Sequence, residues 1–197
     1  YLKLAARFVF SHNWNVWSSY RINIANDFTD ERLSDSVLPK VRTNANLYLT
    51  NRETGLESFY IEGKKSIGPS YHLRGYAGVL EEMFSGAGGE ALYHEYDRRW
   101  ALGLSLSWLR QRAYADDFDH LDYEVLSGFV SFYYASPFHN YDLAIHAGKY
   151  LARDKGFTFE ARRTFDNGFE VGAFFTRTNV PAERFGEGSF DKGLYFR

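Results

Sequence analysis

Three glutamates, Glu81, Glu82 and Glu90, lie close together in this chain, and paired carboxylates are what glycoside hydrolysis needs. One donates a proton and the other serves as base or nucleophile, from opposite sides of the bond that breaks. Adjacent residues on a strand face opposite ways, however, so Glu81 and Glu82 cannot both serve one site without a bulge. The run Gly86-Ala87-Gly88-Gly89-Glu90 invites a phosphate-cradling reading. It lacks the full G-x-G-x-x-G spacing, and such a loop must lead from a parallel strand into a helix. Strand-like sequence flanks it on both sides, so it reads as a Gly-rich turn. His12, His72, His94, His120, His139 and His146 show no H-E-x-x-H or other tight ligand spacing and read as turn and lumen residues. No Gly-x-Ser-x-Gly elbow is present. The sequence therefore predicts no catalytic residue, no metal site and no cofactor.

Other polar chemistry gathers at junctions where both charge signs occur within a few residues. These are Arg110-Gln111-Arg112, Arg153-Asp154-Lys155-Gly156, Arg162-Arg163 and the stretch from Glu187 through Asp191 and Lys192. In a hydrated lumen such groups form ion-pair networks that bind or select polar solutes. On a soluble domain they would be solvated turns and strand ends.

The elements that must position these groups are strands. Between Trp100 and Trp108 the chain reads Trp-Ala-Leu-Gly-Leu-Ser-Leu-Ser-Trp, and a period of two means successive side chains leave on opposite faces. One face carries Trp100, Leu102, Leu104, Leu106 and Trp108; the other carries Ala101, Gly103, Ser105 and Ser107. A soluble sheet would place Lys, Glu or Thr on its wet face. A transmembrane barrel strand instead shows lipid an apolar face with aromatic ends and turns small or polar residues inward. The two tryptophans stand roughly 26 Å apart along a strand. A tilt of about 40° makes that roughly 20 Å of height, near the ~25 Å apolar band of such barrels.

The same alternation runs through residues 1–10, 16–24, 56–63, 70–80, 121–134, 141–151, 157–165 and 169–175. It predicts about nine strands joined mostly by hairpins. Lys3 and Arg7 oppose Leu2, Leu4 and Phe8; His72 and Arg74 oppose Tyr71 and Leu73; Glu160 and Arg162 oppose Phe159 and Ala161. Asp166-Asn167-Gly168 reads as a hairpin turn of type I′, which needs positive φ at both central residues. Residues 25–55 interrupt the pattern as one long connection, with a short helix expected near 25–44. Aromatic residues make up 19% of the chain, and no apolar run approaches the length of a membrane helix. A net charge of −2 leaves no footprint for nucleic acid. The absence of cysteine excludes disulfides and thiolate metal sites within these residues. A soluble sandwich or lipocalin-like barrel is the competing fold.

Five blocks also resemble the YjbH/GfcD family of exopolysaccharide and capsule proteins. They are Leu80 through Tyr93, Gly148-Lys149-Tyr150-Leu151-Ala152-Arg153-Asp154-Lys155-Gly156, Phe165-Asp166-Asn167-Gly168, Phe185 through Gly193, and Leu38-Pro39-Lys40-Val41-Arg42-Thr43. The resemblance spans roughly residues 38–193 and implies a Gram-negative outer-membrane β-barrel, frequently a lipoprotein, encoded beside exopolysaccharide or capsule genes. It carries over no catalytic residues. The expectation is an all-β, antiparallel up-and-down transmembrane barrel, with residues 1–197 forming part of a larger barrel domain truncated at both ends. Its expected role is passage or docking of an exopolysaccharide chain at the cell outer membrane, among membrane lipid and other secretion proteins. Contact with polymer or partner is expected at Glu81, Glu82 and Glu90, at Arg110 and Arg112, at Arg153, Asp154 and Lys155, and at Glu187, Asp191 and Lys192. Two alternatives stand beside it: a polysaccharide-modifying enzyme using Glu81, Glu82 or Glu90, and a structural scaffold for secretion.

Overall fold

Alternation along the chain becomes alternation across one sheet. The computed structural model describes residues 1–24, 47, 48, 51, 54–115, 118–181, 184 and 190–197. Among these residues, eleven strands pair in sequence order, each antiparallel to the next. They are β1 (Leu2–Val9), β2 (Trp14–Ile22), β3 (Gly55–Ile67), β4 (Tyr71–Val79), β5 (Phe84–His94), β6 (Trp100–Arg112), β7 (His120–Ala135), β8 (Tyr141–Lys149), β9 (Lys155–Thr164), β10 (Glu170–Thr178) and β11 (Asp191–Phe196). The fold is all-β, as the alternation predicts. Among the described residues no ladder joins β1 to β11, so the sheet is open. The expected short helix near 25–44 and the block 38–43 lie outside the described residues.

Two strands stand beyond the nine expected: β5 and β11. The glycines of 86–89 belong to a strand, not a turn. Gly88 faces Tyr76 of β4 and Ser107 of β6, and a Cβ there would come within 2.7 Å of both side chains. At Gly86 a Cβ would meet the Trp108 carbonyl oxygen at 2.0 Å. These glycines serve close approach across the ladder, a use that local sequence cannot separate from a turn.

The hairpin at 165–169 forms where Asn-Gly placed it, but its turn differs from the expected type I′. Only Gly168 has positive φ, at 84°. Gly168 N–H donates to Phe165 O, and Phe165 N–H to Phe169 O. That is a three-residue loop ending in a left-handed glycine. Positive φ at both central residues occurs instead at His139 (54°) and Asn140 (53°), in the turn closed from Tyr141 N–H to Phe138 O.

Antiparallel order gives the sheet two unlike ends. At one, which we call the turn end, the connections are 10–13, 68–70, 95–99, 136–140 and 165–169. At the other, the loop end, they are 23–54, 80–83, 113–119, 150–154 and 179–190. The two faces are unlike as well. Leu104 and Leu106 stand 58% and 54% exposed on one face, while Asn15, Glu62 and Ser131 are buried on the other. The sheet curls around this polar face. One cavity of about 650 Å³ is lined by residues from β3 through β9, strands that would spread over ~30 Å if flat.

At the loop end the inner face closes over a small apolar cluster. Phe84, Leu109 and Val125 point inward from β5, β6 and β7 and pack with Met83 and Tyr48. Tyr48 comes from the β2–β3 connection, and its hydroxyl donates to Arg112 O at 2.6 Å. No helix among the described residues is long and apolar enough to cross a membrane.

Candidate functional site

Strand register decides which inward groups meet. Asn15 of β2 lies opposite Glu62 of β3, Lys64 of β3 opposite Arg74 of β4, and Arg74 opposite Glu90 of β5. The side chains complete what the backbone aligns. Arg74 Nε donates to Glu62 Oε2 at 2.5 Å, and Arg74 Nη1 reaches both Glu90 oxygens at 3.2 Å. Lys64 Nζ stands 2.9 Å from Glu62 Oε1, which also accepts from Asn15 Nδ2 at 3.2 Å. One guanidinium thus bridges two carboxylates, and its flat face sits 4.8 Å from the Tyr76 ring centre. Charge-assisted bonds of this kind fix geometry more firmly than neutral ones.

Beyond Glu90 the inner face turns neutral. Tyr76 and Ser107 share a hydrogen bond of 2.7 Å, and Ser131 and His146 share one of 2.8 Å. Tyr133 meets the His146 ring edge-on at 5.5 Å, and Phe129 meets Tyr150 at 4.8 Å. Charge returns on β8–β11, where Arg162 donates to Asp142 at 2.8 Å and the Tyr195 hydroxyl to Glu160 at 2.5 Å. The 650 Å³ cavity lies between these groups, with Arg74, Glu90, Phe129, Ser131, Tyr133 and His146 among its walls. Its chemistry is mixed: both charge signs, hydroxyls, imidazoles and aromatic rings share one concave surface. At the turn end, the Tyr93 hydroxyl and then Arg98 hold the partly exposed Glu95 carboxyl below its ordinary range.

Of the residues expected from sequence, Glu90 alone lines this cavity. The others within the described residues gather at the loop end. Glu81 and Glu82 sit in the 80–83 turn, and Arg112, fully buried, donates to their carbonyls at 3.1 and 2.9 Å. Glu82 pairs with Arg21 of β2. Arg110 faces outward opposite Glu124. Arg153 holds a left-handed φ of 66° and reaches back to Glu124 O at 2.8 Å, with its guanidinium over Tyr123. Asp154 is buried, and its Oδ1 has no hydrogen-bond partner. Lys155 starts β9, while Asp191 and Lys192 start β11. Glu187 lies outside the described residues.

Sequence reasoning placed Arg74 on the polar face and read His146 as a turn or lumen residue, but assigned no role to Ser131 at this cavity or to Glu62 and Asn15 in the network beside it. The usable signal was parity: all sit on the inward phase of their strands. Among the described residues, no three His, Cys, Asp or Glu lie close enough together to hold a metal ion.

Comparison with known proteins gives the family. The model of the family described as exopolysaccharide biosynthesis protein YbjH matches residues 1–197. A protein of Escherichia coli (strain K12) named "Uncharacterized lipoprotein YjbH" is 38% identical over 184 residues, covering 88% of this chain and 26% of that protein. The chain thus spans about a quarter of the length of the curated relative it matches. No solved structure matches it. This chain belongs to the YjbH exopolysaccharide biosynthesis family.

Proposed function

We propose that, as a member of the exopolysaccharide biosynthesis family, this chain forms part of the wall of an outer-membrane β-barrel that passes or docks the polymer without cleaving it. The observation that carries this reading is the inverted placement of polar and apolar residues. Across β6 and β7 the outward pairs are Leu102 with Phe132, Leu104 with Val130 and Trp108 with Leu126, and all six are exposed. Shielding such side chains from water is worth about 1.5–3 kcal/mol each, and contiguous apolar patches of this size mark membrane or protein contacts. The charged and hydroxyl groups meanwhile line the enclosed side. A soluble fold does the opposite.

An aromatic band supports the same reading. The outward residue nearest the turn end is Phe8 on β1, Trp14 on β2, Tyr71 on β4, Tyr93 on β5, Trp100 on β6, Tyr134 on β7 and Tyr141 on β8. Membrane barrels carry such girdles at the lipid interface. The inner cavity suits sugar: Arg74, Glu90, Ser131 and His146 exchange hydrogen bonds with hydroxyls, and Phe129 and Tyr133 offer faces for rings. Arg74 donates to both Glu62 and Glu90, so the two carboxyls flank one guanidinium, whereas the carboxyls of a glycosidase flank the bond that breaks.

The test is fractionation with phenotype. The full-length protein should co-purify with outer membranes, migrate differently on a gel before and after boiling, and reduce or alter extracellular polymer when deleted. Recovery in the soluble periplasm without detergent would sink the barrel reading. Polymer shortening that disappears with Glu90→Gln would replace passage by catalysis.

A further inference from the structure

The outward face ends differently at the loop end. There the terminal outward residue is Lys149 on β8, Lys155 on β9, Arg177 on β10 and Lys192 on β11, while Arg110 on β6 faces the acidic Glu124 on β7. Among the described residues, Lys149, Lys155 and Arg177 form no ion pair with a carboxylate. Lys149 and Lys155 are moreover direct cross-strand partners, a like-charge arrangement that destabilises a sheet on its own. Beneath this cationic row lies an aromatic floor. Phe157 and Phe175 stand 5.9 Å apart, Phe175 and Phe190 6.3 Å, and Lys192 Nζ is 4.6 Å from the Phe190 ring centre.

Cations above aromatic rings, at the rim of an exposed apolar face, match one ligand chemistry: an anionic headgroup joined to an acyl chain. We infer that the outward loop-end surface of β8–β11 is a docking site for phosphate-bearing lipid headgroups of the adjacent leaflet, with Lys149, Lys155 and Arg177 on the phosphate and Phe157 and Phe175 against the chain. A bound phosphate also answers the Lys149–Lys155 opposition, since one anion bridges two ammonium groups that otherwise repel. The inference rests on the barrel reading. It assigns Lys155 to lipid rather than to polymer. The other end carries one such cation among its described strands, Arg163 on β9 over Tyr141 and Phe165, and no row, because its outward terminal residues are mostly aromatic.

The experiment uses the full-length protein folded into two kinds of vesicle: phosphatidylcholine alone, and phosphatidylcholine with an equal part of phosphatidylglycerol. Lipid retained by the protein after mild detergent extraction is then counted. Each cation near an anionic surface contributes about fivefold to partitioning. The triple variant K149Q/K155Q/R177Q should therefore lose about a hundredfold of its preference for phosphatidylglycerol. The charge-preserving variant K149R/K155R/R177K should keep that preference, and high salt should weaken it in the parent protein. Insertion into both vesicles with no phosphatidylglycerol preference would overturn the docking site and leave the barrel standing. Retention unchanged in the triple variant would overturn it too. Failure of the parent protein to insert into either vesicle would remove the barrel reading, and the docking site with it.

Discussion

Replacing Leu104 by Arg and, separately, Ser105 by Arg tests which face of β6 meets lipid. Leu104 lies midway between Trp100 and Trp108, points outward and is 58% exposed. At about 3.3 Å per residue it stands roughly 13 Å from each tryptophan along the strand, which puts it near the middle of the apolar band. A cation there costs about 2–4 kcal/mol, roughly a 30- to 1,000-fold drop in the folding equilibrium. If water covered this face instead, Arg for an exposed Leu would stay within about 0.5 kcal/mol of neutral. Ser105 points the other way, opposite Glu90 on β5 and Phe129 on β7, and lines the 650 Å³ cavity. An Arg there has room and a carboxylate to face, so assembly should survive while any solute passage changes. The assay is urea titration of folding into phosphatidylcholine vesicles, followed by tryptophan fluorescence. The chain has no cysteine, so single cysteines at 104 and 105 also take fluorescent labels cleanly. Lipid-borne quenchers should quench the label at 104 and spare the one at 105. Equal small costs for both substitutions, with no quenching at either position, would refute the placement of lipid against this face.

Gly86→Ala should lower stability by about 1–3 kcal/mol, because the new Cβ meets Trp108 O at 2.0 Å and pushes β5 from β6; urea midpoints compare it with the parent. Arg112→Ala removes a buried cation from the Glu81 and Glu82 carbonyls, and each charged hydrogen bond lost should cost about 1.5–3 kcal/mol, read as faster proteolysis in the 80–83 turn. Arg74→Met strips the shared cation from Glu62 and Glu90, yet Lys64 and Asn15 remain on Glu62. Its cost should therefore fall below the about 3–5 kcal/mol of a fully stripped buried charge, and adding Glu90→Gln should recover part of it in the same titration.

The faces of the sheet were legible because a period of two needs only local sequence. Leu2, Leu4 and Phe8 stand opposite Lys3 and Arg7, and Phe159 opposite Glu160, as the alternation predicts. Strand β5 was not legible: four small residues in a row carry no alternation of hydrophobicity, and their purpose lies in Tyr76, Ser107 and Trp108 on neighbouring strands. The turn types failed for a related reason. A left-handed pair at His139 and Asn140 is imposed by the ladder on both sides and not by the preferences of those residues alone.

The cavity was harder still, and its difficulty has a physical source. Each strand sends only a few side chains into it, so Glu62, Arg74 and Glu90 are separated by 12 and 16 positions in the chain and meet only through register. Dense charge in sequence marks something else. Where Arg110, Arg112, Arg153, Asp154 and Lys155 crowd together, the strands are ending, and backbone carbonyls near the rim need donors: Arg112 supplies them to the 80–83 turn and Arg153 to Glu124 near the start of β7. Charge density along a strand protein thus locates its rims, whereas parity combined with register locates what the rims enclose. The ladder from Asn15 through Glu62 and Arg74 to Glu90 follows from the pairings of β2 to β5 alone. The pairings of β3 with β4 and of β4 with β5 are in turn set by the short turns at 68–70 and 80–83, so lengthening either one by a residue should turn Arg74 or Glu90 to the outward face and break the ladder.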